Sequence, residues 1–185
     1  YGRVMDMRPS NRTDILDAAL RVVDRGAGAD ITYDSVAREA GMTKAGLMYH
    51  LPSKDAMMIA IIEHVVGRWQ DELLDVLGTA LEESTLEQRV RAFVHFAGTG
   101  GVTQGEFVVF SEAVRRPALS QPWLDYLRRW FDFDVDTAST SLLLVWLATN
   151  GLWISEATGV LEISEDQREQ LVALLLRLAD GGLPS

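Results

Sequence analysis

A cation followed by two of the smallest side chains opens one short stretch of this sequence: Lys44, Ala45 and Gly46, then Met48, Tyr49, His50 and, after Pro52, Lys54. That combination suits a helix that reads DNA base edges. Ala45 and Gly46 allow close approach to a groove, Lys44 can donate to guanine O6 and N7, and Met48 can lie against a thymine methyl. Tyr49, His50 and Lys54 follow on the flank, where phosphates would run. A helix starting after Ser53 can also offer backbone N–H groups to a phosphate. Two short helices packed in an ordinary α-domain would show the same spacing, which leaves both readings open.

Other constellations carry less. Asp132, Asp134 and Asp136 have the alternation of a calcium loop, but Thr137 stands where glycine is needed and Leu143 where the bidentate Glu is needed. They are expected instead to charge the start of the next helix. His50, His64 and His95 are far apart, and with no cysteine there is neither a thiolate metal site nor a thiol nucleophile. His64 and His95 are expected to be satisfied or exposed side chains rather than ligands, His64 lying on a long helix whose polar residues face water. No G-x-S-x-G elbow occurs, and the glycines at 98–101 lack the Lys-Ser/Thr of a phosphate loop. Neither enzyme activity, a metal nor a cofactor is expected.

All five tryptophans lie after residue 55, which is more than a helical core of that size needs. Binding pockets are rich in such rings. Trp69, Phe110, Trp130, Trp146 and Trp153 are the expected lining, with Asn150 or Glu112 as polar contact. The charge of −10 also falls wholly after residue 55; residues 1–55 are neutral. Acids such as Glu106, Glu112, Asp132, Asp134 and Glu156, together with aromatic faces that attract cations, point to a flat, lipophilic and preferably cationic small molecule. The plain alternative is a solvated acidic outer face.

The elements that must position these residues are helical throughout. Residues 10–25 carry a wide apolar stripe. Thr32, Thr43 and Ser53 are N-caps for two short helices and a long one, which is expected to run to about Glu83. Gly41 permits the turn between the short pair, a helix-turn-helix spacing. Further helices are expected over residues 85–97, 107–114, 123–130 and 139–158, with Pro117 and Pro122 in a gap, and a last one after Ser164. Its leucines cover more than one face, so Leu171, Leu175 and Leu178, with Leu143 and Trp146 before them, are expected to meet a second copy of the chain. The longest apolar run, residues 141–154, is too short to span a bilayer. The first residues, YGRVMDMRPSNR, have no apolar leader core, and Tyr1–Arg3 read as foreign to a start at Met5 or Met7. A cytoplasmic location without membrane contact is expected.

The stretch ITYDSVAREAGMTKAGLMYHLPSKDAM, residues 31–57, resembles the TetR family of bacterial one-component regulators. Thr32 stands before Val36-Ala37, Ala40 to Thr43 form A-G-[VM]-[ST], and Ser53 to Met57 form S-K-[DE]-x-[LM]. RTDILDAA before it matches the family's opening R-x-x-I-L-x-A-A. The chain departs at Met48, where most members carry Tyr, and at Leu51, where most carry Phe. The resemblance implies an all-α fold of about nine helices, with a three-helix helix-turn-helix domain over residues 8–54. A helical ligand-binding and dimerisation domain would cover residues 55–182. It implies a homodimer on a palindromic double-stranded DNA operator, with a small-molecule effector that shifts the helix after Ser53. It makes Lys44, Ala45 and Gly46 groove-facing and Tyr49, His50 and Lys54 phosphate contacts, with Thr32 and Tyr33 as further backbone contacts. The remaining alternatives are a regulator of this fold without an effector, and a helical adaptor that binds a protein through its acidic face.

Overall fold

The computed structural model describes residues 10–25, 31–99, 102–134 and 139–181. Among these residues there are nine α-helices, one 3-10 turn at Leu81–Glu83 and no strand. The helices are α1 (Ser10–Arg25), α2 (Tyr33–Glu39), α3 (Lys44–His50), α4 (Lys54–Leu77), α5 (Leu86–Gly98), α6 (Gln104–Arg115), α7 (Pro117–Trp130), α8 (Thr140–Thr158) and α9 (Glu165–Ala179).

Side-chain caps set most of the starts. The hydroxyls of Thr32, Thr43, Ser53, Thr85, Thr103 and Ser164 each accept the N–H three residues on. Each such cap contributes about 1 kcal/mol. Ser139 makes no such bond at the start of α8. Asp136, one of the acids expected to charge that start, lies outside the described residues, as do residues 8 and 182 at the expected domain limits.

Two expectations need correction. α4 stops at Leu77 rather than near Glu83, because Gly78 takes a left-handed conformation (φ 68°) and ends the ladder. Pro117 and Pro122 do not separate two helices; both lie inside α7. Pro117 fits the first turn, where its missing N–H is not needed. Pro122 leaves the Ala118 carbonyl without its helical donor.

α4, about 36 Å long at 1.5 Å per residue, is the central member. It packs on α1, α5, α6 and α7. α5 packs in turn on α8 and α9, while α1 rests on α2 and α6. One buried apolar cluster runs from Ile15 to Ala179 through both halves. Met57, Met58 and Ile61 in the first turns of α4 belong to it, so the helix that begins at the expected border serves both halves.

Candidate nucleic-acid interface and effector site

The first site is built on α2 and α3. Gly41, in the left-handed region (φ 66°), turns the chain between them. Fully buried Val36 and Leu47 fasten the two helices into the core. That leaves one face of α3 outward. Lys44 and Ala45 are exposed, Met48 is 43% exposed and Tyr49 75%. Gly46 is half-buried, and a Cβ there would lie 3.2 Å from Thr43 Oγ1, so its small size serves the cap as well as any approach to a groove. Thr43 is occupied as that cap. Lys54 is exposed at the start of α4, and His50 is half-buried beside the Tyr49 ring.

Some side chains expected here are already engaged. The Tyr33 hydroxyl donates to the Leu51 carbonyl at 2.6 Å, closing the end of α3. The Thr32 hydroxyl caps α2. Lys44 Nζ donates to Asp34 Oδ2 at 2.9 Å, an exposed pair at the start of α2. Arg21 and Arg25 of α1 both grip Glu39 at 2.6–2.9 Å and hold its carboxyl below the usual range, chiefly through the Arg21 hydrogen bond.

The second site lies among α4, α5, α7 and α8. Trp69, Trp146, Trp153 and Asn150 line one small cavity of about 10 Å³. Asn150 is satisfied within its helix: its Nδ2 donates to the Trp146 carbonyl (2.8 Å) and its Oδ1 accepts from Trp153 Nε1 (3.2 Å). Phe110 lines a second cavity, on α6. Trp130 is fully buried between Tyr126 and Phe131 and lines neither. Glu112 faces outward and pairs with Arg115 at 2.7 Å, so it is not the polar contact of this space.

Sequence reasoning missed Trp123 as a wall. It meets Trp69 at 5.2 Å and Phe110 at 4.7 Å and borders both cavities. It also missed the position of Glu106, one of several acids in the second half of the sequence. Glu106 is 2% exposed on α6. Its Oε2 accepts from the Thr103 N–H at 2.9 Å, while its Oε1 has no hydrogen-bond partner. Arg68 Nη1 stands 3.5 Å from that oxygen. The Trp69 N–H is close enough to favour the charged carboxylate but outside hydrogen-bonding geometry, so it too is unbonded. Burial outweighs these partners and pushes the carboxyl above its ordinary value. The signal for this was present: Thr103 and Glu106 have the T-x-x-E spacing of a capping box, which draws an acid onto the inner side of a first turn.

The two sites meet at α1. The Gly105 N–H donates to Asp24 Oδ1 at 3.0 Å. His64 turns to α1 and lies 2.7 Å from Asp17, a satisfied side chain rather than an exposed one. Arg116 at the α6–α7 corner pairs with Asp55 in the first turn of α4.

Among the described residues no group of three or more His, Asp or Glu could hold a metal ion, and no helix is long and apolar enough to cross a membrane. The arrangement defines a class, a helix-turn-helix domain carried on a helical domain with an aromatic interior. Comparison with known proteins makes the assignment narrower. Residues 15–61 match the model for bacterial regulatory proteins of the tetR family, and residues 87–180 match the tetracyclin repressor-like C-terminal domain. The chain belongs to the TetR family.

It is 28% identical over 128 residues to the HTH-type transcriptional regulator BetI of Rhizobium meliloti (strain 1021), covering 66% of this chain and 62% of that protein. It is 40% identical over 58 residues to the nucleoid occlusion factor SlmA of Marinobacter nauticus, covering 31% of this chain and 30% of SlmA. The chain thus spans about six-tenths of BetI's length. Two solved structures share the fold. One is a TetR regulator from Haloarcula marismortui (TM-score 0.69, 17% identity, 96% and 100% of the two chains). The other is the multidrug binding protein EbrR complexed with ethidium (TM-score 0.61, 22% identity, 93% and 99%).

Proposed function

We infer that this protein is a transcriptional repressor that binds operator DNA through α3 and lets go when a small molecule enters the aromatic interior of its second half. The observation that carries the reading is the outward face of α3: Lys44, Ala45, Met48 and Tyr49 are exposed on a helix whose other face is locked into the core. A helix presented in this way can lie in the major groove and offer its N-terminal residues to base edges. Lys44 reads a guanine after leaving Asp34. Tyr49, His50 and Lys54 face phosphates, and Thr32 and Tyr33 act through the backbone they hold.

The working form is a homodimer on a roughly palindromic site. Leu144 and Leu147 on α8 are 54% and 53% exposed, and Leu171 on α9 is 39% exposed. Leu171 also borders an open groove of about 670 Å³ shared with Leu161, Ile163 and Leu174. A two-fold axis through these helices would bury an apolar surface that is otherwise in water. Leu143, Trp146 and Leu178 are half-buried, and Trp146 turns its indole to the interior cavity and to Phe131 and Phe133, so it supports the protomer's own packing rather than the contact. Leu175 is buried in the protomer's own core, so it supports α9 rather than the contact.

The effector is planar, lipophilic and cationic. The concentration of rings around Trp69 and Trp123 supports an aromatic ligand, and EbrR, of the same fold, has been solved with ethidium and with imidazole. Anisotropy of labelled DNA carrying the chain's own promoter region, titrated with protein and then with ethidium, tests the reading. Specific binding at physiological salt followed by release on adding the dye supports it. Absence of specific binding contradicts it.

A further inference from the structure

An acid stands beside the lysine that reads a base. Asp34 Oδ2 lies 2.9 Å from Lys44 Nζ, and the two side chains are 75% and 53% exposed. A carboxylate carried toward DNA is repelled by the phosphates of any sequence. Such a residue can nonetheless sharpen the choice between sequences, because discrimination comes from repelling the wrong partner as well as from attracting the right one.

The carboxylate is fixed relative to α3. Asp34 is in the first turn of α2, which Thr32 caps. The neighbouring Tyr33 hydroxyl donates to the Leu51 carbonyl at the end of α3, and fully buried Val36 and Leu47 fasten both helices into the core. α3 therefore carries Asp34 with it to the groove. Lys44 is long and can turn from the carboxylate to a base, whereas the short aspartate stays where the backbone puts it. Base pairs present matching groups. In the major groove each shows one keto oxygen beside one amine: guanine O6 beside cytosine N4, or thymine O4 beside adenine N6. The Lys44 ammonium can only donate and the Asp34 carboxylate can only accept. When Nζ sits on guanine O6 and N7, the adjacent group across the pair is the cytosine N4 amine, which can donate to Asp34. Inverting the pair sets the amine against the ammonium and the keto oxygen against the carboxylate.

We propose that Asp34 is a specificity-determining residue: beside Lys44 it admits the amino base opposite the guanine, a cytosine, and excludes the inverted pair. The inference rests on the reading of α3 as the helix that reads the operator, and it adds the second strand to what is read. Asp34 acts chiefly by exclusion. Its loss therefore raises affinity for the operator modestly and for the inverted pair far more.

The test uses the full chain and the duplex that wild type enriches from a randomised pool. The base pair whose preference relaxes in Lys44→Ala marks the guanine. A second duplex has that pair inverted, G·C to C·G, in both half-sites. Dissociation constants for the two duplexes are measured by fluorescence anisotropy at fixed salt with wild type, Asp34→Asn and Asp166→Asn. Asparagine at 34 has the same shape on an exposed site, so the fold is retained, and it can donate as well as accept. Asp166, exposed in the first turn of α9, controls for the loss of one negative charge. The expected result is a preference for the operator over the inverted duplex that falls at least about fivefold in Asp34→Asn, the lower end of what one good base contact gives. It is unchanged in Asp166→Asn. Equal gains on both duplexes in Asp34→Asn, or an equal fall of preference in Asp166→Asn, would overturn the proposal while leaving α3 as the reading helix; the acid would then only repel phosphates. No enriched motif with wild type, or a motif that Lys44→Ala leaves unchanged, would overturn it together with the reading of α3.

Discussion

Lys44 and Asp34 form an exposed ion pair that must open before the lysine can touch DNA. Such a pair contributes about 0–1 kcal/mol, so it orients Lys44 without locking it. Asp34→Asn should therefore raise operator affinity by up to about fivefold, both by freeing the lysine and by removing an acid near the phosphates. Filter binding at fixed salt measures it, and a fall in affinity would show that Asp34 itself holds the DNA-bound form. Glu106 makes the opposite kind of contribution. An unfolded glutamate titrates near 4.5, and burial raises the folded value. The folded state then holds the extra proton, so stability falls as pH rises from about 4.5 through the folded pKa. Glu106→Gln should flatten that slope and raise the urea midpoint relative to wild type at neutral pH. Parallel midpoints of the two proteins across this range would mean that Arg68 already compensates the buried charge. Lys44, Ala45, Met48 and Tyr49 were legible as an outward face because spacing and side-chain size are local properties. The sealing of Glu106 was not, since it depends on α4 and α6 coming together.

At the level of elements, the short helices were readable because their caps are in the sequence: Thr32, Thr43 and Ser53 each do what their type predicts. The expected break in α7 rests on the tendency of prolines to end helices, yet Pro117 is in the first turn and Pro122 lies inside a helix that packs on α4 and α6. The contact between α1 and α6 had no local signal at all. A tight point in it is Gly105, where a Cβ would lie 2.2 Å from Asp24 Oδ1 and 2.8 Å from Val23 Cγ2. Gly105→Ala should push α6 off α1 and cost about 1–3 kcal/mol by overpacking. The same change should weaken the coupling of effector to operator, because the Gly105–Asp24 hydrogen bond joins the two halves. Denaturation in urea and the effector concentration needed for release measure the two effects. A variant with wild-type values in both would place the coupling elsewhere, for instance at His64–Asp17.

For the whole molecule, the apolar outer face of α8 and α9 makes a sharper test than the sequence allowed. Leucines on several faces of α9 indicated a partner, but only the packed structure tells which of them face outward. Leu147→Glu should yield a folded monomer by sedimentation with native circular dichroism, whereas Leu175→Glu should unfold the protomer by burying a charge. A dimeric Leu147→Glu variant would put the contact on another surface. The overall charge of −10 does not oppose DNA binding if the neutral first 55 residues are what meet the phosphates and the acids stay behind. The most direct measurement is selection of bound sequences from a randomised duplex pool by wild type and by Lys44→Ala. A wild-type protein that reads DNA with two α3 helices should enrich an inverted repeat. Lys44→Ala should relax the preference at one base position in each half-site, at about 1–3 kcal/mol. Enrichment of no motif by wild type, or an identical motif with and without Lys44, would contradict the assignment of α3 as the helix that reads the operator.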